Sequence, residues 1–200
     1  MTFAAIVVFG YLLGSCPWGY WIVRAVRHED VRTKGSGAIG ASNVWRIYGR
    51  WLGIPVVSLD LLKGFVPAFV GVHWSSHLCG ILAGAAAMLG HVRPIYLKFE
   101  KGGKMVATTG GALFAVAPWV GLAILGIWLV VFLVSRYTSV ASLVAALALP
   151  VMAVVFGYPV SVIVFAALTG LGVIALHRAN LRRLLAGTEN RFHLRRTARA

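Results

Sequence analysis

Acidic residues are what this sequence lacks most. Five Asp and Glu stand against nineteen Lys and Arg in 200 residues. Charge of either sign is missing altogether from four long stretches, residues 1–21, 64–90, 105–135 and 137–176. Only 12% of the chain is charged, 60% is hydrophobic, and the mean hydropathy is +0.85. Runs of about 20 apolar residues match the hydrocarbon core of a bilayer, so an ordinary water-soluble domain is excluded. Dyad alternation is also absent, which excludes a membrane barrel. Inside lipid each backbone group must pair within its own segment, so the runs are expected to be helices. The first run has no basic residues ahead of it, since Arg24 and Arg27 follow it, and it is therefore not read as a removable signal peptide. Cysteine is scarce as well. Cys16 and Cys79 both fall in apolar runs, giving neither a disulfide framework nor a metal cluster, and read as small buried hydrophobes. His73 and His77 are four apart with no third ligand, so no metal site is expected. Internal repeats, low-complexity linkers and a soluble domain are also missing.

What is present is placed systematically. Basic residues fall in segments between the apolar runs: 24–50, 93–104, Arg136 and the tail from His177. Only Lys63 lies well inside an apolar run. Because Lys and Arg stay cytoplasmic, the pattern predicts the orientation as well as the class. The expected fold is an all-α integral membrane protein forming one domain over residues 1–200. It is a seven-helix bundle with its N-terminus out and its C-terminus in. The helices are expected near residues 3–23, 51–72, 78–97, 105–117, 119–135, 137–156 and 160–176. The fourth is short because Pro118 removes a helix donor and breaks the 105–135 run. A net charge of +14 does not point to nucleic acid here, since topology already demands basic loops. Anionic membrane lipids and phosphorylated substrates are the natural partners.

Polar residues in such a chain cluster at five places. The first, residues 34–46, holds Lys34, Ser36, Gly37, Gly40, Ser42, Asn43 and Arg46. Gly35, Gly37 and Gly40 spell G-x-G-x-x-G, but no strand precedes them, so a dinucleotide site is not supported. A glycine loop entering a helix can still cradle an anion, and Arg grips phosphate through two parallel bonds. The second is Asp60 with Lys63, three apart on one helix face, read as supporting the site. The third runs from His91 through Gly102, Gly103 and Lys104 to Thr108. Here a Gly-Gly-Lys enters a short helix, which suits a phosphate but lacks the full nucleotide-loop spacing. The fourth is Arg136, Ser139 and Ser142, opening the sixth helix; capping is the plainer reading of its serines. The fifth is His177, Asn180 and Glu189 in a basic tail that also suits an interfacial helix.

These five blocks, in this order and spacing, resemble the signature blocks of the bacterial acyl-phosphate-dependent glycerol-3-phosphate acyltransferases. The resemblance covers nearly the whole chain. It implies a small inner-membrane enzyme with its catalytic face toward the cytoplasm. It implies acyl transfer from acyl phosphate to the 1-hydroxyl of glycerol 3-phosphate, releasing lysophosphatidate and phosphate. No cofactor is implied, and a functional link to an acyl-phosphate synthase is. The His-x4-Asp pair of the other glycerol-phosphate acyltransferase class is absent, since none of the six histidines has Asp five positions on. Three positions depart from the usual family pattern: Ala38 for Asn, Ser42 for Thr and Met105 for Gly.

In this reading Ser36, Lys104, Ser142, His177 and Asn180 are the catalytic group. Lys104, with the N–H groups of Gly102 and Gly103, holds one phosphate. Ser36 and Arg46, with the Gly37–Gly40 loop, hold the other. Ser42, Asn43, Lys63, His91, Thr108, Arg136, Ser139 and Glu189 are expected to contact substrate. The proton acceptor is either His177 or a substrate phosphate oxygen. A transporter of organophosphates or a noncatalytic binder of anionic lipid remains the rival reading of the same cationic loops.

Overall fold

A computed structural model describes residues 2–192. The expectation that Arg195, Arg196 and Arg199 sit in a cytoplasmic tail falls outside the described residues.

Among the described residues the regular structure is ten α-helices and two short 3-10 turns. Thr2 caps α1 (Phe3–Gly14) by accepting the Ala5 N–H at 3.3 Å. Pro17 cannot donate, so the helix stops and restarts as α2 (Trp18–Arg27). The first apolar run is therefore interrupted rather than one continuous helix. The 24–50 segment also contains a short helix, α3 (Ala41–Tyr48), ahead of α4 (Arg50–Trp74). Then come α5 (His77–Val92), α6 (Val106–Val116), α7 (Pro118–Ser135), α8 (Thr138–Val155), α9 (Val160–Leu176) and α10 (Arg178–Leu185). Proline ends α6 and starts α7, where its missing N–H is no loss.

Five segments are long and apolar enough to cross a membrane: Phe3–Arg27, Arg50–Trp74, His77–Leu97, Pro118–Ser135 and Thr138–Val155. Val160–Leu176 joined to Arg178–Leu185 makes a sixth, bent by 56°. Helix α6 is shorter, as the sequence predicted. Many leucines and valines of α7 and α8, such as Val130, Val134 and Leu147, stay exposed, which suits a lipid-facing surface.

Small residues let the backbones close up. Gly64 of α4 and Gly111 of α6 face each other's helices so closely that a Cβ on either would collide with a carbonyl of the other, Thr108 or Leu61. The main core, including Met88, Leu113, Leu149, Phe165 and Val173, joins α5, α6, α8 and α9. A second core of Val23, Val31, Ile39, Val44, Val56 and Leu97 seats α3 and its preceding loop on α2 and α4.

Lys63 owes its place to the break at Pro17. Its ammonium lies 2.8 Å from Asp60 Oδ1 and donates at 2.9 Å to the Cys16 carbonyl, which also accepts from Trp18 N at the helix break. Lys63 is 1% exposed and, unlike Asp60 and His91, does not line the cavity described below, so the substrate-contact role expected of it is corrected to a structural one. The Asp60 carboxylate neutralises it and sits 3.7 Å from His91 Nδ1.

Candidate active site

Two loops and the start of α10 meet around one cavity of about 490 Å³. Arg32 pairs with Asp30 and with Glu100, tying the loop before α3 to the loop before α6.

The first wall is residues 34–46. Gly35 and Gly37 have φ of 59° and 69°, the left-handed region open to glycine. Asn43 holds that shape. Its Oδ1 accepts from Ser36 N at 3.0 Å, and its Nδ2 donates to the carbonyls of Lys34 and Ala38 at 3.1 and 2.9 Å. Asn43 thus staples the loop with both of its amide hydrogens, and it lines the cavity as well. Gly37 donates to the Lys34 carbonyl and does not line the cavity; it supplies the turn. Ser36, Gly40, Ser42 and Arg46 do face inward. Arg46 Nε is buried with no partner, and burial lowers the guanidinium pKa against an opposing pull from Glu189.

The second wall is the entry to α6. The Gly102 N–H donates to the Val92 carbonyl and the Gly103 N–H to the His91 carbonyl, both at 3.0 Å. Neither is free for a phosphate, which corrects that expectation. Their glycine requirement is steric. A Cβ on Gly103 would run into the His91 ring, and one on Gly102 into the His91 carbonyl. The loop lies flat on the end of α5, and Lys104 emerges into the cavity. The unpaired N–H groups here belong to the first turn of α6, where Thr109 N is the first to find a carbonyl, that of Met105. Met105 takes φ 54°, a strained choice for a side chain, and buries its thioether in the main core. Thr108 is fully buried beside Gly64 and outside the cavity, so it is not positioned for substrate.

The third wall is built on a carboxylate. Glu189 Oε1 accepts from Asn180 Nδ2 at 2.7 Å and from Ser139 Oγ at 2.9 Å, while Oε2 accepts from Arg183 Nε at 2.7 Å. Burial pushes the Glu189 carboxyl up, and these hydrogen bonds more than reverse it, leaving the pKa below its ordinary value. With its amide so oriented, Asn180 turns its oxygen to Lys104 Nζ at 2.6 Å. Burial pushes Lys104 down to about 8, opposed by Glu189 and assisted by Arg183, Lys101 and Arg46. His177 Nδ1 lies 2.8 Å from the Val173 carbonyl. A carbonyl only accepts, so Nδ1 carries the proton and Nε2 is the free acceptor.

Ser142 differs from expectation. Its hydroxyl donates to the Thr138 carbonyl at 2.7 Å and accepts from Trp128 Nε1 at 3.1 Å. It anchors Trp128 on the apolar side of the cavity rather than offering a free hydroxyl. Arg136 is the left-handed cap of α7, and its carbonyl accepts from Phe192 N at 2.7 Å. Its side chain does not line the cavity, a further correction.

Ser36, Gly40, Ser42, Arg46, Asp60, His91, Lys104, Ser139, His177 and Asn180 therefore share one cavity. Sequence reasoning missed Arg183, Trp128 and Phe192. Arg183 had a signal, lying three residues after Asn180 on the same helix face. Trp128 and Phe192 had none among so many aromatics. Beyond the polar end the cavity continues as an apolar groove between α6, α7 and α8, past Gly110, Leu125 and Leu149.

Known proteins share this arrangement of chain. The family model described as glycerol-3-phosphate acyltransferase matches residues 4–187. A glycerol-3-phosphate acyltransferase of Aquifex aeolicus (strain VF5) is 43% identical over 189 residues, covering 94% of this chain and 97% of that one. Another, of Endomicrobium trichonymphae, is 39% identical over 189 residues, covering 94% of each. The fold is similar to a crystal structure of PlsY (YgiH), an integral membrane glycerol 3-phosphate acyltransferase, in its glycerol 3-phosphate form. The TM-score is 0.91 at 42% identity, with 96% of both chains covered. A PlsY crystal structure in the lysophosphatidic acid form gives 0.87 at 41% identity, covering 96% of this chain and 95% of that one.

Proposed function

The chain belongs to the glycerol-3-phosphate acyltransferase family, and from that membership we infer that it acylates the 1-hydroxyl of glycerol 3-phosphate with an acyl phosphate as donor. The products are lysophosphatidate and inorganic phosphate, the first step of phospholipid synthesis. The observation that carries the reading is the single cavity in which Lys104, Arg46 and Arg183 adjoin an apolar groove. One end suits anions and the other a fatty acyl chain.

Acyl phosphate is an activated mixed anhydride, so the protein's task is mainly to position and to stabilise charge. Well-oriented reactants alone supply about 7–11 kcal/mol. Lys104 and the N–H groups of the first turn of α6 hold one phosphate; Arg46, Ser36 and the start of α3 hold the other. The glycerol hydroxyl oxygen attacks the acyl carbon, the carbon–oxygen bond to phosphate breaks, and phosphate leaves with the electron pair. His177 Nε2 accepts a hydrogen bond from the hydroxyl and orients it. The Nδ1 side of His177 rests on a neutral carbonyl, not a carboxylate, so an imidazolium would gain little support. A substrate phosphate oxygen is therefore the proton's destination. No cofactor takes part in the scheme.

In the membrane the chain makes seven crossings within one domain, with α1 and α2 forming the first and α6 a short fourth. The N-terminus is outside and the tail inside. Basic segments at 24–50 and 93–104 and at Arg136 then share the cytoplasmic face of the inner membrane, which supports a site open to soluble glycerol 3-phosphate. An acyl-phosphate synthase supplies the donor.

The test is purified protein with palmitoyl phosphate and labelled glycerol 3-phosphate, scored for lysophosphatidate and free phosphate. Turnover with palmitoyl-CoA but not with palmitoyl phosphate would overturn the donor assignment. Impermeant thiol labelling of cysteines placed at Ser75 and Lys101 checks the orientation; both reacting from one side would refute it.

A further inference from the structure

The apolar groove reaches toward the turn between α6 and α7. Its walls are three helical stripes: Val106, Gly110 and Phe114 on α6; Gly121, Leu125, Trp128 and Phe132 on α7; Ser142, Ala145 and Leu149 on α8. Helices α6 and α7 are joined at Ala117, and the lining residues run from Lys104 at the start of α6 to Phe114 and Gly121 on either side of that turn. Just before that turn the Phe114 ring crosses to α7. A Cβ on Gly121 would lie 3.1 Å from Phe114 Cδ1, so the ring packs directly on the glycine. Midway along, Gly110 borders open space: a Cβ there would meet nothing within 4 Å. From Phe132 to Gly121 the helix rises by about 16 Å, at about 1.5 Å per residue. That is close to one leaflet of hydrocarbon, about 15 Å.

We infer that Phe114, lying over Gly121 at the α6–α7 turn, closes the groove and sets the longest acyl chain that the enzyme accepts. The inference rests on the proposed acyl donor and goes beyond it, naming a specificity-determining residue remote from the reacting atoms. A chain that reaches the ring stops there, because the ring lies against Gly121 of the facing helix. Truncating Phe114 extends the groove toward the turn. A bulky residue at Gly110 cuts it short, starting from a Cβ that clashes with no neighbour.

The experiment is a competition among an equimolar series of acyl phosphates, decanoyl through eicosanoyl, with product lysophosphatidates resolved by mass. Phe114→Ala is expected to move the product distribution at least one even-numbered step toward longer chains. Phe114→Leu should give a smaller shift the same way, and serves if the alanine variant does not fold. Gly110→Leu is expected to move it toward shorter chains. If Gly110→Leu shortens the distribution while a folded Phe114 variant leaves it unchanged, the groove holds the chain but Phe114 is not its limit, and the inference fails alone. If Gly110→Leu also leaves it unchanged, the groove is not the acyl site. If the unsubstituted protein turns over none of the series, the donor reading itself fails.

Discussion

The Lys104 ammonium and the Asn180 amide oxygen lie 2.6 Å apart, although 76 residues separate them in the chain. Asn180 presents that oxygen because Glu189 holds its amide nitrogen from behind. The pair joins the entry of α6 to the start of α10 on one wall of the cavity, and its behaviour is measurable.

Replacing Lys104 with alanine is expected to lower kcat/KM by roughly 10²–10³, the usual cost of losing one donor that faces developing charge. A loss below tenfold would contradict the phosphate role. The pH profile follows from burial, which pushes Lys104 down to about 8. The charged form is the useful one, so kcat/KM of the free enzyme holds below that pH and falls as pH rises through it. Lys104→Arg should remove this alkaline limb, since guanidinium stays charged beyond pH 12. A wild-type profile that stays flat to pH 10 would exclude the assignment.

Glu189→Gln keeps the shape and removes the charge. The carboxylate raises the Lys104 pKa, so its loss lowers that pKa further and moves the alkaline limb to lower pH. The Asn180 amide also loses its charged anchor, worth about 1.5–3 kcal/mol for a hydrogen bond of that kind. Parallel profiles of the two proteins show the shift; an unmoved limb would place Glu189 outside the Lys104 network.

Gly103→Ala tests whether the Gly-Gly step serves packing or donation. The substitution leaves the N–H in place but drives a methyl group into the His91 ring. Packing predicts a fall in both melting temperature and turnover, with part of each restored when His91→Ala is added. Donation predicts little change in either variant. A double-mutant cycle reads the coupling between the two positions directly.

Asp60→Asn leaves the Lys63 ammonium buried beside a neutral amide. Breaking one side of a buried pair costs about 3–5 kcal/mol, and thermal unfolding in detergent should show it. Asp60→Leu with Lys63→Met together should recover most of that loss, since no uncompensated charge remains. Equal destabilisation by the single and double variants would point to some other role for Asp60.

The helices were legible in the sequence because lipid leaves so few alternatives. The 160–176 segment was read to the residue, and Pro118 marked the end of α6, because charge, proline and apolar length are local signals. Pro17 carries no such local mark, since proline within a membrane helix is tolerated, and the Lys63 ammonium that meets the break at Cys16 lies on another helix. In the site, Lys104, Arg46, His177 and Asn180 announced themselves as costly polar residues at helix ends. What sequence could not say was which way each hydrogen bond runs. Gly102, Gly103 and Ser142 look like substrate contacts by residue type, yet each is committed to its own scaffold by a neighbour that only the fold supplies. Trp128 was invisible for the converse reason: its partner Ser142 sits on another helix, and one tryptophan among seven carries no mark.

The hydrogen bond from Lys63 to the Cys16 carbonyl also bears on biogenesis. The α4 segment carries an ammonium whose second acceptor is provided by the preceding span, already synthesised when α4 leaves the ribosome. The two spans are therefore expected to be more stable in the bilayer as a pair than α4 is alone. Deleting the first span would take away that acceptor and leave the Lys63 ammonium in lipid with only Asp60 of its two partners.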